Sequence, residues 1–146
     1  MSKIYIYTDG SSLGNPGPGG WGVVMKYGDK VKELSGGEKF TTNNRMELLA
    51  VIKALEAIKT TKIPIELYSD SRYVVDAVNK GWVFKWTKKP NLSGKKNPDL
   101  WNIFLNLYTQ FNININWVKA HNGHVENERC DELAKSQAYK FKKPSL

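Results

Sequence analysis

Four carboxylates occupy positions where a purely structural acid is poorly placed. Glu47 falls early in a stretch, Arg45 to Lys59, whose apolar residues recur at helical spacing. Ala50, Val51 and Ala54 lie on its side, whereas Lys53, Glu56 and Lys59 mark the solvated side. Glu47 therefore faces inward, where a carboxylate needs a cation, a metal ion or a proton. Asp131 sits at the edge of an apolar stripe formed by Cys130, Leu133, Ala134, Gln137 and Phe141, while Glu128 and Glu132 align with Lys135 and Ser136 and look solvated. Asp9 and Asp70 each close a hydrophobic strand, the end at which α/β folds present ligand groups. If those strands are neighbours, four acids converge and repel one another unless a cation sits among them. Hard oxygen donors suit Mg²⁺ or Mn²⁺, and two such ions can activate water and stabilise a leaving oxygen in phosphodiester hydrolysis. The structural alternatives are a salt bridge or helix-dipole placement for Glu47 and simple capping for the strand-terminal aspartates.

The elements that must position these acids follow from periodicity and turn chemistry. Lys3 to Asp9 is apolar on both faces, as expected of a strand covered on both sides. Gly10 to Gly20 reads as a glycine and proline turn region, Trp21 to Tyr27 as a second strand, Gly28-Asp29 as a hairpin turn and Lys30 to Phe40 as a third strand. Thr41 or Thr42, with the asparagines that follow, can cap the Arg45 to Lys59 helix. Ile65 to Asp70 is a fourth strand and Ser71 to Asn79 a short helix. Asp99 to Phe111 is amphipathic through Leu100, Ile103, Phe104, Leu107 and Tyr108. Ile113 to Val118 is a fifth strand, and a last helix runs from Val125 to about Ala138. A meander followed by alternating helices and strands predicts an α/β fold, a five-stranded mixed sheet flanked by helices.

The chain of 146 residues, 40% apolar and 25% charged, suits a single domain over 1–146. One cysteine cannot form an internal bridge, and no apolar run reaches membrane-spanning length, so the expectation is a cytoplasmic protein without a membrane partner. Nothing demands more than a monomer. The net charge of +8 is segregated. Lys80, Lys85, Lys88, Lys89, Lys95 and Lys96 lie between Asp76 and Asp99 with no acid among them, interleaved by Trp82, Phe84 and Trp86. A basic handle over about 80–98, with a second basic stretch over about 139–146, favours a polyanionic partner.

The chain resembles type 1 ribonuclease H of the bacterial ribonuclease HI kind. The resemblance rests on Tyr7-Thr8-Asp9-Gly10-Ser11 with Gly14-Asn15-Pro16-Gly17-Pro18-Gly19-Gly20, on Thr41-Thr42-Asn43-Asn44-Arg45-Met46-Glu47-Leu48, on Ser69-Asp70-Ser71, and on Trp117-Val118-Lys119 through His121 to Glu126-Asn127-Glu128-Arg129-Cys130-Asp131-Glu132-Leu133-Ala134. It implies endonucleolytic cleavage of the RNA strand of an RNA/DNA hybrid, leaving 5′-phosphate and 3′-hydroxyl ends. Asp9, Glu47, Asp70 and Asp131 would hold two Mg²⁺ ions, with Mn²⁺ as a substitute, and His121 would assist proton transfer or product release. Gly10, Ser11, Ser12, Asn15, Asn43 and Asn44 would contact the RNA strand. Thr42 and Asn97 would form a DNA phosphate pocket, and Trp82 an aromatic channel. Lys85, Lys88 and Lys89 would supply salt-dependent attraction.

Three departures from the family pattern are visible. The handle is short and lacks a second tryptophan, Phe40 stands where an arginine is common, and Arg72 where a glutamine is common. The alternatives to a ribonuclease H are a related metal-dependent nuclease on the same fold and a non-catalytic hybrid-binding module. Retention of all four acids argues against the second, since binding a polyanion would favour losing inward negative charge.

Overall fold

In the computed structural model, which describes residues 2–60, 62–86, 97–119 and 124–142, the strands form one sheet. They are β1 (Ile4–Ser12), β2 (Gly17–Tyr27), β3 (Lys30–Thr41), β4 (Ile65–Ser69) and β5 (Ile113–Trp117), in the order β3-β2-β1-β4-β5. The first three pair antiparallel as a meander, and β1, β4 and β5 pair parallel. Helices α1 (Asn43–Glu56), α2 (Arg72–Asn79), α3 (Trp82–Trp86), α4 (Pro98–Tyr108) and α5 (Val125–Lys140) complete the described elements.

The strand that carries Asp9 is longer than its sequence suggests. The parallel ladder with β4 stops at Thr8 opposite Ser69, yet β1 continues past Asp9 through Gly10, Ser11 and Ser12, paired with Trp21, Gly20 and Gly19 of β2. The glycines that read as turn residues are therefore partly strand. Their small size serves helix packing: a Cβ on Gly20 would lie 2.1 Å from the Ala134 carbonyl oxygen of α5. α5 covers this face of β1 and β2, and α1 covers the opposite one.

α1 begins earlier than its apolar periodicity indicates because Thr42 takes the cap. Its Oγ1 accepts the Arg45 N–H at 3.2 Å, which places Asn43 and Asn44 inside the first turn. The helix ends where the N–H groups of Ala57 and Ile58 turn back to carbonyls of its last turn. Met46, Leu48, Ala50, Val51, Ile52, Ala54 and Leu55 are each at most 1% exposed, so α1 is the central helix of the core.

α4 starts with Pro98, which lacks the N–H that a first helical residue could not use. Its buried face is Leu100, Trp101 and Phe104. Ile103, expected on that face, is 42% exposed, and Trp101 takes its place with its ring edge-on to Phe104. The Trp101 indole N–H is also satisfied, donating to the Tyr73 hydroxyl at 2.9 Å. The segment from Lys80 contains a short helix, α3, pinned by the fully buried Val83.

Because Trp101 fills the contact of α4 with the core and satisfies its own N–H there, Trp101→Ala should cost about 3–5 kcal/mol of unfolding free energy in a urea titration. A loss below about 1 kcal/mol would show that α4 is anchored by other contacts.

Candidate active site

Parallel pairing of β1 with β4 sets Asp9 and Asp70 side by side, each one residue beyond the last paired couple, Thr8 and Ser69. Glu47, from the first turns of α1, completes the group. Each of the three offers an oxygen within 4.8 Å of those of the others. Gly10 is the joint between strand and helix. Its N–H donates to Asp9 Oδ1 at 2.9 Å and to Glu47 Oε1. A Cβ at Gly10 would fall 2.3 Å from the Glu47 backbone nitrogen, so any other residue would push α1 off the strand.

Asp70 is fixed from three sides. Ser69 Oγ accepts the Ser71 N–H at 3.1 Å, and Ser71 Oγ caps α2 by accepting the Val74 N–H at 3.2 Å. The Trp117 indole N–H, at the end of β5, donates to the Asp70 carbonyl oxygen at 3.2 Å. Arg72 lies with its guanidinium carbon 3.9 Å from the centroid of the Trp117 ring, so the residue that departs from the family pattern braces the indole that holds Asp70.

The electrostatics of the cluster are set by burial and by the nearness of the carboxylates to one another. Asp9 and Glu47 are 8% and 3% exposed, and among the described residues no lysine or arginine pairs with either or with Asp70. Burial pushes the Asp9 carboxyl up to about 7, with the charges of Asp70 and Asp131 adding and the hydrogen bond with Glu47 opposing. Burial likewise drives Glu47 well above the usual carboxylate range, reinforced by Asp9 and Asp70. A cluster of hard oxygen donors with no cation of its own fits a divalent cation of the Mg²⁺ type. Cys130 is no competing soft ligand, since burial raises its thiol and its Sγ meets the Tyr7 carbonyl oxygen at 3.1 Å.

Asp131 stands apart from this group. On α5 it is partly exposed and pairs with Lys135 at 3.0 Å, although its charge still reaches Asp9. Lys135 therefore answers Asp131, while Glu132 pairs with Arg129, which also holds Glu33 of β3.

The residues expected to contact substrate fall into two clusters. Asn15 Oδ1 accepts the Asn43 N–H at 3.1 Å, joining the loop after β1 to the N-terminus of α1 beside Asn44, with Ser11 and Ser12 half-buried on the extension of β1. Thr42 and Asn97 are linked through Arg45, which the sequence analysis did not single out. Its backbone N–H goes to Thr42, and its Nη1 donates to Asn97 Oδ1 at 3.4 Å. Asp99 grips the same guanidinium at 3.0 and 2.6 Å, which holds the Asp99 carboxyl below the usual range. Asn97 adopts a left-handed backbone, φ 59°, and donates to the Tyr73 hydroxyl at 3.1 Å. Arg45 and Asp99 are far apart in the chain, so no local pattern marks the pair.

Trp82 is 43% exposed with Lys80 Nζ 5.2 Å from its ring centroid, and Lys85 is exposed. Phe84 packs on Tyr108 with ring centroids 5.5 Å apart, which gives it a structural contact. Lys88, Lys89 and His121 lie outside the described residues, as does the side chain of Trp86.

A family model described as RNase H matches residues 1–139. Ribonuclease HI of Helicobacter pylori is 55% identical over 140 residues, 96% of each chain. Ribonuclease H of Desulforamulus reducens is 53% identical over 150 residues, 100% of this chain and 92% of its own. Among solved structures, LC9-RNase H1, a type 1 RNase H with the type 2 active-site motif, is similar with a TM-score of 0.85 at 32% identity, covering 97% of this chain and 74% of that one. LC11-RNase H1, crystallised in complex with an RNA/DNA hybrid, gives 0.72 at 28% identity over 94% of this chain and 98% of its own.

Sheet order, acid cluster and these relatives together define a metal-dependent nuclease class. Within that class the chain belongs to the ribonuclease H family, as a type 1 member, and is an endonucleolytic hydrolase.

A carboxyl raised to about 7 in the fold and near 3.8 when unfolded destabilises the metal-free protein fully above pH 7, and this cost fades as pH falls towards 4. In chelator, Asp9→Asn should therefore raise the melting temperature at pH 8 by several degrees, with the gain shrinking by pH 5. A variant that melts no higher than the wild type at pH 8 would show that the buried acids carry no such strain.

Proposed function

We propose that this protein hydrolyses the RNA strand of RNA/DNA hybrids, with Asp9, Glu47, Asp70 and Asp131 holding two divalent cations, Mg²⁺ with Mn²⁺ as a substitute. The observation that carries the reading is the meeting of Asp9, Glu47 and Asp70 with no protein cation among them in the described residues. When bound, such ions activate a water and offset charge on the leaving oxygen of a phosphodiester.

The chain's own residues do the rest. The Gly10 N–H orients two carboxylates at once, and the Trp117 indole holds the backbone of the third. Asp131 lies near enough to influence Asp9 yet pairs with Lys135, which suits an acid completing the site from its outer edge. His121 assists proton transfer or product release, leaving 5′-phosphate and 3′-hydroxyl ends.

Recognition must test for 2′-hydroxyls on one strand and their absence on the other. Gly10, Ser11, Ser12, Asn15, Asn43 and Asn44 read the RNA strand from the rim of the acid cluster. Thr42 and Asn97, held in register by Arg45, take a phosphate of the DNA strand, and Trp82 packs against its sugars. Lys85, Lys88 and Lys89 attract the duplex without selecting sequence. The complex of LC11-RNase H1 with a hybrid supports this substrate class.

End-labelled hybrid, single-stranded RNA, duplex RNA and duplex DNA, each with Mg²⁺ and with chelator, test the reading. Cleavage should be confined to the RNA of the hybrid, and Asp70→Asn should lower it by at least about 10²-fold while hybrid binding persists. Near-normal turnover in that variant would remove Asp70 from the metal site. Replacing Lys85, Lys88 and Lys89 by alanine should make the slope of log affinity against log salt shallower by up to about 3. An unchanged slope would place the duplex on another surface.

A further inference from the structure

Next to the Asn15–Asn43 contact, the loop after β1, the end of β3 and the end of α5 enclose a groove of about 680 Å³. Leu13, Pro18, Phe40 and Phe141 give it an apolar lining, and Lys39, Lys140 and Lys142 give it charge. The ring of Phe141 lies against β3 at Gly37, where a Cβ would come within 2.9 Å of it. Phe40 is 74% exposed, the most of any large apolar side chain among the described residues. Among those residues none of the three lysines has an ion-pair partner. Lys140 also suits the carbonyl end of α5, and Lys142 Nζ lies 5.9 Å from the centroid of the Tyr139 ring, but neither contact neutralises a charge.

We propose that this groove holds unpaired nucleotides where the DNA strand of the hybrid runs on as a single strand, with a base on Phe40 and phosphates on Lys39, Lys140 and Lys142. The inference rests on the substrate class proposed above. Exposed lysines alone are ordinary surface. An exposed aromatic ring among uncompensated ammonium groups suits a single strand, since every base has a face to stack and every nucleotide a phosphate to neutralise. A duplex has no use for the ring, because its bases already stack on one another. The lining also favours deoxyribose over ribose. Leucine, proline, phenylalanine and lysine side chains supply no hydrogen-bond acceptor, so a 2′-hydroxyl pressed against them would give up water without a partner for its proton.

The groove continues the surface assigned to the hybrid. Leu13 and Pro18 close the loop that carries Asn15, the Leu13 N–H donating to the Pro18 carbonyl oxygen at 2.6 Å. Phe40 comes two residues before Thr42, the residue set against a DNA phosphate, which is about 7 Å along an extended chain. A DNA strand that outruns its RNA partner therefore meets Phe40 beside the last duplex contact. Phe40 also stands where an arginine is common in the family, so at this place a charged contact is exchanged for a stacking surface. The consequence is a preference for the end of an RNA stretch, where the DNA continues unpaired.

The test is fluorescence anisotropy, in chelator, with a fluorescein-labelled hybrid that is blunt or carries about five deoxyuridines at the 5′ or the 3′ end of its DNA strand. The extension at one of the two ends should tighten binding by about fivefold or more. Uridines in place of the deoxyuridines should reduce that gain by at least about threefold. Phe40→Ala should remove most of the gain and leave the affinity for blunt hybrid within about twofold of wild type. Lys39→Ala with Lys140→Ala and Lys142→Ala should bring the salt slope of the extended hybrid down to that of the blunt one, a change of up to about 2. All four side chains are exposed, except that Lys140 and Lys142 flank the half-buried Phe141, and unchanged melting curves confirm that the variants fold. No gain at either end, equal gain at both ends, equal gain from uridines, or a gain that survives Phe40→Ala would overturn the proposal. Cleavage of blunt hybrid in Mg²⁺ separates it from the reading on which it rests. A blunt hybrid left uncut overturns the proposed function and this inference with it, whereas normal cutting without a gain from the extension overturns this inference alone.

Discussion

One backbone N–H, that of Gly10, is shared by two buried carboxylates, and much of the molecule is arranged around that contact. Asp9 and Glu47 repel each other in a poorly solvated place, so neither would remain there unless the surrounding packing held both. That packing is the seating of α1 against β1, close enough that only glycine fits at position 10. The same seating buries the apolar residues of α1, so the hydrophobic gain of the core offsets the electrostatic cost of the site. The acids are a strained feature that the core tolerates, and such strain is expected where a cation is to be bound.

The remaining polar contacts tie the rim of the site to separate parts of the fold. Arg45 links the cap of α1 to Asn97 and Asp99 at the start of α4, and Tyr73 of α2 receives donors from Asn97 and from the buried Trp101. The proposed phosphate pocket is thus tied through Tyr73 to the fully buried Trp101, so its geometry depends on the packing of α4. On the other flank Arg72, Trp117 and Asp70 form a second chain from β5 to the acid cluster. In both arrangements the arginine is turned to a partner outside the acid cluster, and among the described residues no lysine or arginine pairs with Asp9, Glu47 or Asp70.

Charge is sorted along the axis of the sheet. Acids gather where the parallel strands end, while Lys26, Lys30, Lys32 and Lys59 line an apolar groove at the other end. A sheet with its reactive groups at one end leaves the opposite end free to evolve contacts that do not interfere with chemistry.

Local periodicity and turn chemistry in the sequence determined the element types, the mixed sheet and the inward aim of Glu47, because these depend on residues a few positions apart. The motif spacing also marked Asp9, Asp70 and Asp131 as candidates. The tertiary structure alone decided that β1 and β4 are neighbours, that three acids meet while Asp131 turns to Lys135, and that β1 runs beyond Asp9 through glycines that read as a turn. It also decided that Trp101 rather than Ile103 faces the core, and that Arg45 answers Asp99. Each of these outcomes is set by a pairing between distant segments or by the fit of a side chain into space that other elements define. A single sequence carries no local signal for such a choice, because its energy exists only once the chain has folded.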